Sequence, residues 1–420
     1  MKILVIGHAC SPQFSSEPAF TWNWAWHLSE RHQVWVIAHP QYRQSVEDYL
    51  AERPNPNLSC VWVTLPSLID PWDPARGERG VRLHYLLWQR EAFRVAQRLH
   101  RQHRFDITHL VSLSTISVAP VFWRLPVPFI WGPVGGGQMA PAAFRQYFGS
   151  AWWKEALRNL RLRALLLSPG FRRAVRQSAA IFVTNRETAR FAELAGARRV
   201  RLLLDCGCAA DRIPASLPKR ARRAELTLLW AARLEHRKSL PLGLEALARV
   251  KDLPVRLLVA GGGPRRAEWE ALSRALGLAD RVQFLGVVPW SEMARLQQRA
   301  DAFLFTSLRD SFGSVVLEAM SQGLPVVALD HQGVGSFVPP EAGIKVPVTT
   351  PGETVAALAR ALRRLALATE EERQRMGAAG WAYARTQTWE RRVEQMSRCY
   401  EECLRMRDAG ALEDVGVVNV

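Results

Sequence analysis

The sequence predicts an α/β protein with two consecutive domains, each built around a parallel sheet. Short apolar runs typical of fully buried strands recur along the chain, as at Lys2–Gly7, Leu226–Ala231 and Ala302–Phe305. Amphipathic segments with helical spacing separate these runs, which is the alternation that produces parallel strand–helix–strand units. At 420 residues the chain is also too long for one ordinary core. We therefore expect two Rossmann-like domains whose sheets face a central cleft.

Changes in composition place the domain boundaries. The first domain is predicted to span residues 1–208 and the second residues 226–386. Residues 209–225 carry two prolines and several basic residues without an apolar period, which is typical of a linker. The last segment, residues 387–420, contains one amphipathic helix, Thr388–Met406, followed by a tail that we expect to fray.

The charge balance favours anionic partners. There are 56 basic and 39 acidic residues, a formal net charge of +17. The basic residues lie singly on amphipathic helices, and the sequence has no zinc-ligand spacing or nucleic-acid-binding module, so we expect no nucleic-acid partner. The six cysteines form no metal-binding pattern, and we interpret them as reduced thiols of a cytoplasmic protein. The N-terminal apolar run is too short for a signal peptide, and no run approaches 18 residues, so we expect no membrane-spanning segment.

The most informative stretch runs from Ala302 to Asp330. It contains two buried strands joined by a helix that is apolar almost all round. Its polar residues fall four apart, on one stripe: Asp310, Ser314, Glu318 and Gln322. A buried carboxylate needs a partner, and a helix N-terminus beside small residues is an anion site. The stripe therefore predicts a ligand with both an anion and hydroxyl groups, and a sugar nucleotide fits.

This stretch carries a family resemblance. Asp310 and Glu318 enclose seven residues, and the sequence EAMSQGLPVVA begins at Glu318. This segment resembles the acidic-x7-Glu signature of retaining GT-B glycosyltransferases of family 4, the glycogen-synthase-like group 1 class. The usual first acid of that signature is Glu, and here it is Asp. The resemblance covers nearly the whole chain and is most specific between Ala231 and Gly335. The alternative is a buried helix whose Glu318 is neutralised by a nearby arginine.

Two cations extend the resemblance. Arg233 and Lys238 lie in a strand-to-helix turn, where open α/β sheets hold phosphates. The turn resembles the family's G-R-L…R-K-G segment, although Ala232 and Ser239 replace its glycines; the alternative is a solvated turn. The resemblance implies that Arg233 and Lys238 grip the donor diphosphate, that Asp310 holds the sugar hydroxyls and that Glu318 binds the ribose hydroxyls. It implies further donor contacts from Gly135, Gly136, Val288, Ser311, Phe312, Gly313, Ser314 and Val315.

The first domain supplies weaker candidates. A strand ending at Trp131 runs into the loop GPVGGGQ, which resembles the cleft-wall loop of one family branch. Glu17 and His109 are candidates for the acceptor or sugar side by the same resemblance. The alternatives are a solvated or capping carboxylate for Glu17 and a satisfied core histidine for His109. The terminal helix is expected, in this fold, to cross back to the first domain.

The expected activity is retaining transfer of a sugar from a UDP- or GDP-linked donor to a hydroxyl acceptor. The acceptor class is a carbohydrate or a lipid-linked sugar, in cell-surface polysaccharide or glycolipid synthesis. We expect no cofactor and no metal, because in such enzymes cationic side chains and a helix dipole take the place of a metal. The sequence also has no Asp-x-Asp metal motif. The open alternatives are another GT-B enzyme, of the phosphorylase or epimerase type, and a non-catalytic membrane-surface adaptor.

One basic stretch predicts contact with a membrane surface. Between Trp152 and Arg176, arginines alternate with leucines in an amphipathic pattern suited to an anionic bilayer. The alternative is an ordinary helix pair with one solvated face. The expected location is thus cytoplasmic, with peripheral association on the inner membrane face.

Overall fold

The chain forms two compact units in the computed structural model, which describes residues 1–14, 16–77, 79–218, 224–409 and 418–419. Neither unit is continuous in sequence. The first unit consists of Met1–Gly137, Arg161–Cys206 and Trp389–Val420, and the second of Gln138–Leu160 and Gly207–Thr388.

The first unit contains an eight-stranded sheet with the order β14-β7-β6-β5-β4-β1-β2-β3, and every pairing in it is parallel. The central strands are buried along their whole length because helices cover both faces. Its strands are β1 (Lys2–Gly7), β2 (Gln33–Ala38), β3 (Leu58–Trp62), β4 (Ile107–Ser112), β5 (Phe129–Val134), β6 (Ala180–Val183), β7 (Val200–Leu202) and β14 (Val418–Asn419).

Six helices lie wholly within the segments of the first unit: α1 (Glu17–Ser29), α2 (Arg43–Glu52), α3 (Val81–His103), α5 (Pro169–Gln177), α6 (Arg186–Leu194) and α14 (Trp389–Asp408). The last helix, α14, completes the core of this unit. Its Trp389, Met396 and Tyr400 are buried in the same apolar cluster as Trp24 of α1. The unit therefore depends on a segment from the far end of the chain.

The second unit contains a six-stranded parallel sheet with the order β10-β9-β8-β11-β12-β13. Its strands are β8 (Leu226–Ala231), β9 (Val255–Ala260), β10 (Val282–Gly286), β11 (Ala302–Phe305), β12 (Val326–Leu329) and β13 (Gly343–Val346). Its helices are α7 (Leu240–Ala248), α8 (Arg266–Ala275), α9 (Trp290–Arg299), α10 (Ser314–Ser321), α11 (Gln332–Phe337), α12 (Pro351–Leu367) and α13 (Glu370–Thr386).

One predicted boundary needs correction. Residues 138–160, expected in the first domain, belong to the second unit. The physical reason is apolar burial, since Phe144 and Phe148 are fully buried in the core cluster of the second unit. The boundary between the units falls within α4 (Trp152–Leu165). Of the predicted linker, residues 209–218 and 224–225 belong to the second unit, and residues 219–223 lie outside the described residues.

The predicted frayed tail also lies mostly outside the described residues, since only Val418–Asn419 is described beyond position 409. Among the described residues, no helix combines the length and the apolar character needed to cross a bilayer.

Candidate functional site

The sequence-predicted site of the second unit forms where two adjacent strands end. β11 pairs in parallel with β8, so the turns that follow both strands emerge at the same edge of the sheet. These turns are joined directly: the Leu308 N–H donates to the Arg237 carbonyl at 2.8 Å, and the Thr306 hydroxyl donates to the Lys238 carbonyl at 3.1 Å. This pairing brings Lys238 to the loop that carries Asp310.

Lys238 and Asp310 form a partly buried ion pair. The Lys238 Nζ donates to Asp310 Oδ2, and the Ser307 hydroxyl donates to the same oxygen at 3.3 Å. Arg237 Nη1 lies 3.6 Å from it. Burial alone raises the pKa of the Asp310 carboxyl, but the charges of Lys238 and Arg237 outweigh this effect and hold the pKa below its ordinary value. Asp310 is therefore a carboxylate at neutral pH, with two cations beside it.

Arg233 differs from Lys238 in being exposed. It lies two residues after β8, and no described hydrogen bond or ion pair holds its guanidinium. Arg237 was not singled out in the sequence, although it lies between Arg233 and the helix that follows. Its guanidinium pairs with Glu235 at 2.7 Å and donates to the Arg309 carbonyl at 3.3 Å. The turn thus offers one free cation and two that are held in place.

The N-terminus of α10 lies four residues after Asp310 in the chain. Gly313 caps this helix with φ 93°, and a Cβ there would meet the Phe305 ring at 2.8 Å, so both the conformation and the close approach require glycine. Ser311, Ser314 and Val315 are half-buried, whereas Phe312 is fully buried and anchors the loop. The first N–H groups of the helix have no acceptor within it and are a suitable site for an anion.

Glu318 lies one turn further along α10, on the same stripe as Ser314. Burial raises the pKa of its carboxyl, and a hydrogen bond from Ser314 and the charge of Arg212 partly oppose that shift. The proximity of Arg212 agrees with the alternative prediction for Glu318, in which a nearby arginine neutralises the carboxylate. The net upward shift shows, however, that Arg212 does not compensate the burial fully. The half-buried Glu318 carboxyl therefore keeps a raised pKa at this position on α10.

Two buried glutamines fix the Asp310 loop. The Gln332 side chain accepts from the Asp310 N–H at 2.7 Å and donates to the Leu308 and Met139 carbonyls at 3.2 Å each. Gln138 approaches the Ser311 hydroxyl at 3.5 Å. These contacts hold the loop in one conformation from both sides.

A bidentate ion pair holds the same loop from a third direction. Arg309 Nε and Nη2 donate to the two Glu155 oxygens at 2.7 and 2.9 Å. Both side chains are mostly buried, with 21% and 12% of their areas exposed. Glu155 lies on α4, within the part of that helix that belongs to the second unit. Arg309 therefore ties residues 138–160 to the neighbour of Asp310.

Val288 lies outside this group. It is half-buried and follows β10, the edge strand of the second unit's sheet, which is two places from β8. The structure thus brings Lys238, Asp310 and the start of α10 together and places Arg233 and Glu318 beside them in the chain. Among the described contacts, none joins Val288 to these turns, and its predicted contact with a donor stays a prediction.

Of the two candidate glycines of the first unit, Gly136 has a local reason to be glycine. Gly135 exchanges backbone hydrogen bonds with the 114–116 loop. Gly136 has φ 94°, and a Cβ there would meet the Thr115 hydroxyl at 2.4 Å. A Cβ on Gly137 would meet the Thr188 backbone at 2.8 Å. The loop therefore packs closely within its own unit, and its predicted contact with a donor stays a prediction.

His109 occupies the core of the first unit. It is fully buried, its Nε2 donates to the Gly132 carbonyl, and its Nδ1 accepts from the Tyr400 hydroxyl at 2.6 Å. Both ring nitrogens are satisfied by protein groups, which favours the alternative of a core histidine. Burial lowers its pKa to about 4.

Glu17 begins α1 and accepts from the Ser114 N–H at 2.7 Å. Burial raises the pKa of this carboxyl, against the hydrogen bonds from Ser114. Its observed role is to join α1 to the loop after β4.

Sequence reasoning missed Arg237, Gln332 and the Glu155–Arg309 pair. Arg237 and Arg309 adjoin predicted site residues, so proximity alone was an available signal. No such signal exists in the sequence for Gln332 and Glu155, because each contacts the Asp310 loop from a segment that is distant in the chain. Among the described residues, His39, Asp70 and His84 of the first unit form a group able to hold a metal ion, which sequence spacing also missed.

The chain is similar to known glycosyltransferases. Residues 216–382 match the family model of glycosyl transferases, group 1. A D-inositol 3-phosphate glycosyltransferase of Corynebacterium urealyticum is 32% identical over 193 residues, covering 44% of this chain and 45% of that protein. A phosphatidyl-myo-inositol mannosyltransferase of Mycobacterium leprae is 36% identical over 180 residues, covering 42% and 46%. The chain thus spans about half the length of the curated relatives it matches.

A solved structure extends the likeness in fold to nearly the whole chain. Sucrose-phosphate synthase from Thermosynechococcus elongatus superposes with a TM-score of 0.67 at 18% identity, covering 96% of this chain and 99% of that one. At this identity the likeness concerns the fold alone. Two Rossmann-like units with parallel sheets, as in GT-B glycosyltransferases, are therefore confirmed, and the group 1 similarity lies in the unit that carries Lys238, Asp310 and Glu318.

Proposed function

We propose that the protein is a retaining glycosyltransferase of family 4 that moves a sugar from a UDP- or GDP-linked donor to a hydroxyl acceptor. The acceptor we propose is a carbohydrate or lipid-linked sugar of cell-surface polysaccharide or glycolipid synthesis. The observation that carries the proposal is the arrangement of Lys238 and Asp310 beside the N-terminus of α10, with the exposed Arg233 in the same turn. The group 1 match over residues 216–382 supports it.

The proposed chemistry follows from the charges. When the bond between the anomeric carbon and the diphosphate oxygen breaks, negative charge develops on the departing diphosphate. Arg233, Lys238 and the α10 N–H groups stabilise that charge, which is the largest catalytic contribution we expect. Asp310 keeps Lys238 oriented and accepts hydrogen bonds from the sugar hydroxyls. Glu318, whose burial is only partly compensated, binds the ribose hydroxyls. As the acceptor oxygen bonds to the anomeric carbon, its hydroxyl proton passes to the departing diphosphate oxygen.

A nucleotide-binding experiment tests the donor site. We expect free UDP or GDP to raise the melting temperature of the wild-type chain, because a ligand that binds only the native state stabilises it. Lys238→Ala should weaken that shift, and Lys251→Ala, which removes an exposed lysine of the same unit, should leave it unchanged. Absence of any shift with UDP, GDP and ADP in the wild-type chain contradicts the proposal.

A second experiment isolates the role of Glu318. The wild-type chain should bind the ribonucleotide more tightly than its 2′,3′-dideoxy analogue. Glu318→Gln should reduce this preference, because the ribose hydroxyls then lose a charged acceptor. An unchanged preference in a folded Glu318→Gln variant removes Glu318 from the ribose site.

Stereochemistry and reaction class need the complete reaction. We expect the anomeric configuration of the donor sugar to be retained in the product, and an NMR coupling constant that shows inversion contradicts this part of the proposal. Sugar transfer to an alcohol distinguishes a transferase from a phosphorylase, which requires inorganic phosphate, and from an epimerase. Nucleotide binding without donor turnover would instead identify an adaptor.

We further propose peripheral association with an anionic membrane through α4. Trp153 and Leu160 expose 61% and 63% of their areas, and Arg161 and Arg163 are exposed on the same helix. Arg158 does not belong to this surface, because it is half-buried and donates to the Gln138 carbonyl at 2.9 Å. Each basic residue near such a surface contributes about 1 kcal/mol.

Vesicle co-sedimentation tests this association. The chain should bind anionic vesicles more strongly than neutral ones, with release as the salt concentration rises. Replacing Arg161 and Arg163 by Gln should weaken the binding without changing nucleotide affinity. Equal binding to both kinds of vesicle, or to neither, contradicts the association and leaves the donor site untouched.

A further inference from the structure

Four side chains that the donor site does not use meet at the carboxyl edge of the first unit's sheet. His8 directly follows β1 and His39 directly follows β2, and the His39 N–H donates to the His8 carbonyl at 2.9 Å. His84 lies in the first turn of α3, and Asp70 precedes that helix. The three imidazole rings form a triangle with centroids 5.1–5.2 Å apart. We call these four residues the histidine cluster.

Hydrogen bonds determine which atoms of the cluster can bind an ion. His84 Nδ1 lies 2.6 Å from Asp70 Oδ1, and His84 Nε2 lies 3.0 Å from His8 Nε2. The Gln41 N–H donates to His39 Nδ1 at 3.3 Å, which leaves Nε2 as the atom through which His39 can bind a metal. One ring nitrogen of each ligand histidine thus has a partner that fixes the ring, as the second shell of a metal site requires.

The distances suit a small divalent ion. One ligand atom from each of His39, Asp70 and His84 lies within 4.8 Å of the other two. Ligands about 2.1 Å from a tetrahedral zinc ion lie about 3.4 Å from one another. The ligand atoms therefore need to move by about an ångström to reach the tetrahedral spacing, which side-chain rotation can supply without movement of the strands. Two nitrogens and one carboxylate oxygen are a ligand set that favours zinc and related transition metals over magnesium or calcium.

The surroundings exclude solvent from the imidazoles. His8, His39 and His84 are all buried. Trp72 packs against His84 with ring centroids 4.8 Å apart, and Trp88 against His8 at 5.0 Å. This packing holds the rings in place beside Asp70, as a preformed metal site requires.

We propose that His39, Asp70 and His84 bind a divalent transition-metal ion of the Zn²⁺ type. His84 binds through Nδ1 as the neutral Nε2–H tautomer, whose Nε2–H donates to His8 Nε2, so the ring releases no proton when the ion binds. His8 is thus a positioning residue rather than a ligand. Three protein ligands leave a fourth coordination position for water or another oxygen ligand.

Metal binding to the full chain tests the proposal directly. After chelator treatment and dialysis, the wild-type chain should bind one Zn²⁺ ion per chain, and Co²⁺ in its place should give the intense visible absorption of a tetrahedral site. His39→Gln and Asp70→Asn should each weaken Zn²⁺ binding by more than about tenfold, and His8→Gln by about tenfold, as for loss of a second-shell partner. His27→Gln, at a histidine of the same unit outside the cluster, should have no effect.

Each result decides the matter. Failure of the wild-type chain to bind Zn²⁺, or equal binding by a folded His39→Gln variant, overturns the proposal. Circular dichroism and thermal unfolding report whether each variant is folded. If every variant in the cluster unfolds, the Co²⁺ spectrum of the wild-type chain decides, and an octahedral spectrum overturns the proposal. None of these readouts depends on sugar transfer, so they stand apart from the proposed function.

Discussion

The side chains at the carboxyl edges of the two sheets form two groups that differ in their chemistry. In the second unit, Lys238 and Asp310 are charged and paired, beside a free Arg233. In the first unit, the histidine cluster is built from buried imidazoles whose pKa values, at His8 and His39, are lowered by burial. The same topological position therefore carries a paired group of charges in one unit and a group of buried imidazoles with one carboxylate in the other.

The difference also lies in how each group is distributed along the chain. The charged group comes from two short stretches, 233–238 and 310–318, each of which keeps several members in one turn or helix. The histidine cluster takes one residue from each of four separate segments. A group concentrated in short stretches produces a readable pattern, whereas a group assembled one residue at a time does not.

The largest expected effect concerns the charged group. Lys238→Ala should lower the rate of sugar transfer about 30- to 1000-fold, because loss of one charged contact to the departing diphosphate costs about 2–4 kcal/mol of transition-state stabilisation. The measurement is kcat at saturating donor, with Lys251→Ala as the matched control. Near-wild-type turnover in Lys238→Ala would exclude Lys238 from the diphosphate site.

Lowering the pH should reduce the stability of the first unit before that of the second. His109 has a pKa of about 4 because it is buried, whereas a histidine of the unfolded chain titrates near 6.5. Between these values the unfolded state binds a proton that the native state does not, so the free energy of unfolding falls as the pH decreases from 6.5 to 4. The expected loss is about 3 kcal/mol. The Asp310 pair behaves differently: its lowered pKa gives stability above pH 3.8 that is lost only below it.

Hydrogen exchange between pH 7 and pH 5 measures this contrast. Amides of β4 and β5 should lose protection before those of β8 and β11. His109→Gln should reduce the pH dependence of the first unit, since the glutamine does not titrate. Equal loss of protection in both units would contradict the assignment of acid sensitivity to buried histidines.

A moderate effect is expected at the ion pair that holds the Asp310 loop. Arg309→Met leaves the mostly buried Glu155 without its partner, which should cost about 1.5–3 kcal/mol of stability. We expect the donor KM to rise several-fold, because the loop loses one of its supports, while kcat changes less. The double variant Arg309→Met/Glu155→Met should cost less than the sum of the two single changes. Strict additivity would show that the pair is not coupled.

The smallest expected effect concerns metals at the charged group. We propose that cations of the protein replace a metal there, so Mg²⁺ or Mn²⁺ added to the chelator-treated chain should change nucleotide affinity less than about twofold. Calorimetric titration with UDP or GDP measures this. A strict metal requirement for nucleotide binding would contradict the proposed donor site, whatever the result for Zn²⁺ at the histidine cluster.

Sequence reasoning predicted the fold and much of the charged site for the same physical reason. Buried parallel strands appear as short apolar runs, and the Lys238 and Asp310 turns follow such runs directly. It failed where the structure depends on contacts between distant segments. The assignment of residues 138–160 depends on where Phe144 and Phe148 are buried, and Gln332 reaches Asp310 from another strand-end loop. No local pattern records such contacts.

The hydrogen bond between His109 and Tyr400 has a consequence for how the chain folds during synthesis. Its two residues are 291 positions apart, and Tyr400 lies on the helix that completes the first unit's core. A ribosome therefore finishes the entire second unit before the first unit can close. Until α14 emerges, the apolar surface beneath it stays uncovered, although it belongs to the part made first. Chaperone binding to stalled nascent chains should persist until the final helix is released, reversing the usual N-terminal-first order of domain folding.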